Sequence, residues 1–147
     1  LKMYPNAKFI YLVRNPYTVF NSTRSFYSNT IKPLELQHIT DEEMQQNILD
    51  AYNLLYDAYQ QEKHLIPEGN LIEVKFEDFE ADAMGMTERI YHELSLPGFE
   101  EARPAIEQYV GKKRGYKKNK YNYPQELIDL VNAHWGQTID DFGYERL

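Results

Sequence analysis

A nearly continuous apolar run, Lys8-Phe9-Ile10-Tyr11-Leu12-Val13, breaks off at Arg14-Asn15-Pro16. The run is short and rich in β-formers, which predicts a buried strand of a parallel sheet. Asparagine is a favoured N-cap, and proline is pre-set for the first helical position, so a helix is predicted to start at once. Val19, Phe20, Thr23, Phe26 and Tyr27 follow at helical spacing. Residues 8 to 28 therefore read as strand, tight turn and helix, which commits the chain to an α/β plan.

The rest of the chain fills in that plan. Residues 29 to 39, with Pro33, read as a loop. Thr40-Asp41-Glu42-Glu43 is a capping box, and Met44, Ile48, Ala51, Leu55 and Tyr59 predict one face of a long helix to about His64. Pro67-Glu68-Gly69-Asn70 ends it, and Leu71 to Phe76 predicts a second strand. Ala83, Met86, Ile90 and Leu94 predict a helix stopped by Pro97-Gly98, followed by a shorter one over about 101 to 110. Residues 111 to 123 read as a basic loop, and a last helix is predicted from Pro124 to about Trp135.

That gives two strands and about five helices. Two strands make a poor parallel sheet, because their long edges stay open. The chain also opens on Leu1 rather than Met. Both observations lead us to expect the C-terminal portion of a single larger domain.

The net charge of −7 argues against non-specific nucleic-acid binding, which needs a basic field. The cations are nevertheless bunched: Lys112, Lys113, Arg114, Lys117, Lys118 and Lys120 fall close together. An acidic protein with one basic segment is expected to meet an anion there. The sequence has no cysteine, which excludes a disulfide framework and a thiolate metal site and leaves the compartment open, with the cytoplasm favoured. No apolar run approaches the roughly 20 residues of a membrane span.

Arg14 stands at the carboxyl end of a predicted strand, where open α/β sheets bind ligands. The next helix aims its partly positive N-terminus at the same place. A guanidinium offers a donor fork matched to phosphate or sulfate. Ser22, about two helical turns on, carries a hydroxyl able to donate to the same anion. The plainer reading is that Arg14 caps carbonyls or pairs with a carboxylate, and that Ser22 is a surface serine.

The run Phe9 to Pro16, with Ser22 eight residues after Arg14, resembles the 3′-phosphate-binding motif of the sulfotransferases that use PAPS (3′-phosphoadenosine 5′-phosphosulfate). The resemblance implies an α/β fold that is part of a P-loop-like three-layer domain with a parallel sheet. It also implies that Arg14 and Ser22 bind the 3′-phosphate of PAPS, the sulfuryl donor, and that no metal is needed for this role. Val74-Lys75-Phe76-Glu77-Asp78-Phe79 is similar to the family's strand ending in Tyr-Glu-Asp-Leu, with Phe76 for the usual tyrosine. There Phe76 presents a ring to the adenine, or is an ordinary core aromatic. Glu77 and Asp78, adjacent on a strand-to-helix turn, read better as helix caps than as an acid/base pair.

The family also carries a basic, glycine-containing loop shortly before its last helix. Arg114 and Gly115 match it best, with Lys113 and Lys117 as neighbours, against the alternative of a solvated basic loop. The family's phosphosulfate loop, Lys-x-Gly-Thr/Ser-Thr, does not occur in these residues, and no catalytic base can be placed. His38, His64, His92 and His134 are scattered and read as structural or exposed. The expected activity is sulfuryl transfer to a hydroxyl or amine of a carbohydrate or small molecule, with these residues supplying the 3′-phosphate-binding half. A P-loop-type nucleotide kinase and a non-catalytic anion- or nucleotide-binding domain are the rival readings.

Overall fold

Among the described residues six α-helices and two strands follow one another as β1 (Phe9–Val13), α1 (Pro16–Phe26), α2 (Asp41–Glu62), β2 (Leu71–Lys75), α3 (Phe76–Ala81), α4 (Ala83–Glu93), α5 (Phe99–Lys113) and α6 (Gln125–Asp141). The structure is a computed structural model that describes residues 2–113 and 122–147. Two compact units divide the chain: one comprises Leu1–Arg14 and His64–Lys120, the other Asn15–Lys63 and Tyr121–Leu147.

In the first unit β1 and β2 pair in parallel, with Phe9 opposite Leu71, Tyr11 opposite Glu73 and Val13 opposite Lys75. Lys8 fastens the entry to the sheet by donating to the Gly69 carbonyl (3.1 Å) and to Asn70 Oδ1 (2.6 Å). Gly69 turns the chain into β2 at φ 74°, a conformation that favours glycine. Ile72 and Val74 are buried with Ile90 of α4 and its C-cap Leu94, and Phe79, Met86 and Leu96 pack around them.

The expectation of a buried first strand is corrected here. Ile10 and Leu12 are 51% and 53% exposed, against 3% and 1% for Ile72 and Val74. The register places both pairs on one face of the sheet. The apolar cluster of that face draws on β2 and α4 but takes no residue of β1. Only Val13 of the first strand is buried.

Helix α4 stops short of Pro97-Gly98. Ser95 adopts a positive φ of 51°. The Leu96 N–H donates to the Tyr91 carbonyl (2.8 Å) and the Ser95 N–H to that of His92 (3.1 Å), which is a Schellman closure. Helix α5 runs further than expected, through Gly111 and Lys112 to Lys113. One glycine costs about 1 kcal/mol in a helix, and Lys112 in the last turn complements the helix dipole.

In the second unit α1 and α2 pack on α6 around Tyr17, Phe20, Ile48, Leu49, Leu127, Val131, Trp135 and Ile139. The buried face of α2 is Ile48, Leu49 and Tyr56, not the expected stripe through Ala51 and Leu55. Leu55 is 71% exposed. On α1 the buried residues are Pro16, Tyr17, Phe20 and Asn21, whereas Phe26 is exposed.

Residues expected to form a loop instead continue α1 as a π-turn, Tyr27–Ile31, and a 3-10 turn, Lys32–Leu34. Helix α6 passes its expected end at Trp135, where the backbone bends to φ −119°, ψ 15°, and goes on to Asp141. Thr138 and Ile139, beyond the bend, are buried and hold that extension in place. Among the described residues no helix is long and apolar enough to cross a membrane.

Candidate functional site

Parallel register creates the main feature of the first unit. Val13 is paired with Lys75, so Arg14 and Phe76 leave the two strands side by side at the carboxyl end of the sheet. The guanidinium carbon of Arg14 lies 4.4 Å from the centroid of the Phe76 ring. Both side chains are half-buried. Among the described residues no carboxylate pairs with Arg14 and no carbonyl takes its N–H groups. The guanidinium therefore lies over the ring, and among the described residues no hydrogen bond takes its donors.

Phe76 lies one residue past the strand expected to contain it, at the first position of α3. Glu77 and Asp78 fall in the first turn of that helix, where carboxylates oppose the positive end of the dipole. They are not its cap, because Lys75 holds that position and no side chain bonds there. Two residue pairs back from the last pair of the sheet, Tyr11 faces Glu73. Burial, and then the Glu73 charge, raise the Tyr11 phenol above its ordinary range.

The second unit begins with the helix start read from Asn15-Pro16. Asn15 Oδ1 accepts from the Thr18 N–H (3.2 Å), and Pro16 opens α1. The Tyr17 hydroxyl donates to Asn132 Oδ1 (2.5 Å) and accepts from the Leu147 N–H (3.1 Å). The Thr18 hydroxyl meets the Tyr123 hydroxyl at 2.8 Å, and Asn21 donates to the Asn122 carbonyl (3.3 Å).

Ser22 is half-buried on α1, in the second unit, whereas Arg14 belongs to the first. No hydrogen bond occupies its hydroxyl among the described residues. A cleft of about 60 Å³ lies between the π-turn and the start of α2, lined by Tyr27, Ile31, Ile39 and Met44, with Lys32 and Asp41 paired across 3.3 Å.

The expected phosphate loop is only partly placed. Arg114, Gly115 and Lys117 lie outside the described residues, and Lys113 is the last residue of α5. His38, His64, His92 and His134 are all exposed. Among the described residues no group of histidines and carboxylates is arranged to hold a metal ion.

The Arg14–Phe76 stack was not read from the sequence. The signal for it lies in aligning Val13 with Lys75, which the two strand ends permit. The bonds from Tyr17 to Asn132 and Leu147 had no such signal, because they join segments more than 100 residues apart.

Arg14 thus stands at a parallel strand end, directly before the capped start of α1 in the sequence. The sequence model of the sulfotransferase family matches residues 1–101. The chain belongs to the sulfotransferase family. It is 33% identical over 146 residues to the omega-hydroxy-beta-dihydromenaquinone-9 sulfotransferases of Mycobacterium bovis and Mycobacterium tuberculosis. The alignment covers 99% of this chain and 38% of each relative, so the chain spans about two fifths of their length. No solved structure matches. These matches do not favour the kinase or the non-catalytic reading.

Proposed function

We propose that this chain supplies the 3′-phosphate-binding part of an enzyme that moves a sulfuryl group from PAPS to a hydroxyl on a small molecule. One observation carries the reading above all: Arg14 stands at a strand end over the Phe76 ring, with no hydrogen bond to its donors among the described residues. A phosphate fits that edge, since two in-plane N–H groups meet two oxygens. Ser22 is proposed as a second donor on the grounds of motif spacing, and Arg114, Gly115, Lys113 and Lys117 as the basic cover. The parallel strand pair, with a helix directly after each strand, is compatible with a P-loop-like three-layer domain.

The chemistry of PAPS is in-line sulfuryl transfer, close to phosphoryl transfer in its spread of charge over equatorial oxygens. In that setting Arg14 and Ser22 orient the donor from the end remote from sulfur, and their contribution is positioning. They also select against ATP, which has no 3′-phosphate to satisfy them. The hydroxyl acceptor is proposed from the relatives' names, which specify a hydroxylated dihydromenaquinone. The segment from Tyr27 to Met44, with its apolar cleft, is proposed to govern acceptor choice.

The test is calorimetric titration of the full-length protein with 3′,5′-ADP and with 5′-AMP. Tighter binding of 3′,5′-ADP is expected. Equal affinity for the two, or a preference for ATP with Mg²⁺, would remove the proposal.

A further inference from the structure

We infer that Phe76 is a positioning residue for Arg14 and not a platform for the adenine of the donor. The inference rests on the proposed role of Arg14 as a ligand of the 3′-phosphate.

The register of the sheet makes Arg14 and Phe76 neighbours, and the 4.4 Å approach sets the guanidinium over the ring. Phe76 is anchored at the first position of α3, so its backbone is fixed by the helix. Arginine carries a flexible stem and a planar head with its donors in the plane. A cation–π contact over the ring restrains that head without consuming a hydrogen-bond donor. Arg14 is thereby presented to an incoming anion in one orientation, and less freedom is lost when the anion binds. The ring face that carries the guanidinium is closed to a base.

Two kinds of ring predict different ligand profiles. A ring that stacks on adenine serves every adenine nucleotide. A ring that acts through Arg14 serves only nucleotides with a 3′-phosphate. The experiment is calorimetric titration of the full-length protein and its Phe76→Leu, Phe76→Tyr, Arg14→Ala and Phe76→Leu/Arg14→Ala variants, each with 3′,5′-ADP and 5′-AMP.

Phe76→Leu is expected to weaken 3′,5′-ADP about two- to fivefold, the size of an exposed cation–π contact, and to leave 5′-AMP unchanged. Phe76→Tyr should keep the wild-type affinities. In the Arg14→Ala background, Phe76→Leu should cost nothing further. The Arg14 Nε–H resonance should also leave its ring-shifted position in Phe76→Leu, which checks the contact without a ligand.

Equal weakening of both nucleotides by Phe76→Leu would overturn the inference and leave the role of Arg14 standing. So would full additivity in the double variant. A wild-type protein that binds 3′,5′-ADP and 5′-AMP equally would sink the role of Arg14 itself, and this inference with it.

Discussion

Trp135 shows how much of the second unit hangs on one side chain. It is 1% exposed, lies 3.9 Å from the Tyr52 ring centroid in a stack, meets Phe20 edge-on, and donates its indole N–H to the Leu49 carbonyl (3.3 Å). Trp135→Ala removes the packing and the donor together, and should destabilise the protein by about 3–5 kcal/mol in urea denaturation. Arg14 is the counterpart for the proposed function. In the full-length protein Arg14→Ala should raise the dissociation constant for 3′,5′-ADP roughly 10- to 100-fold, as a lost charge-assisted bond of about 1.5–3 kcal/mol does. Calorimetry checks this, and unchanged affinity would refute the assignment. Tyr11 gives the pH dependence. Its raised phenol keeps its proton above the ordinary value of 10.0, so its contribution to stability is whole below that value and is lost as pH climbs through the elevated one. Spectroscopic titration should show a late tyrosinate component that Tyr11→Phe removes. At this scale the place of Arg14 at a strand end was legible because strand, arginine, asparagine and proline are contiguous. Its ring partner was not, because strand register is a property of two segments.

Helix starts were legible from short signals, and so was the face of α4 through Met86, Ile90 and Leu94, but the face of α2 was legible only in part, at Met44 and Ile48. Asn15 and Thr40 both act as side-chain caps, and the Thr40–Glu43 box closes in both directions. Thr40→Ala should cost about 1 kcal/mol, read from the midpoint of thermal or denaturant unfolding. The Glu43 carboxyl is held below its ordinary range, first by the Thr40 backbone N–H and then by its hydroxyl. Its stabilising part is present above the unfolded value and lost as pH falls through the lowered one, and Thr40→Ala should move the Glu43 midpoint upward in an NMR titration. The apolar stripe of α2 was a different matter. Leu55 and Tyr56 belong to rival stripes, and a 3.6-residue period accommodates either. The choice fell to Leu49, Tyr52 and Tyr56 because Trp135, far along the chain, supplies their partner.

At the scale of the whole molecule, the α/β order was legible and the covering of the sheet was not. Apolar content predicts burial, but Ile10 and Leu12 lie on a strand outside the α4 cluster, and nothing local in the sequence announces that. Each unit is also discontinuous in sequence, with crossings after Arg14, Lys63 and Lys120. This has a consequence for cleavage. A single cut between Lys63 and His64 yields two peptides, and each holds a share of both units. Neither peptide can carry away a finished core, since β1 would part from β2 and α1 and α2 from α6. The nicked protein should therefore elute as one species on gel filtration and come apart only in denaturant.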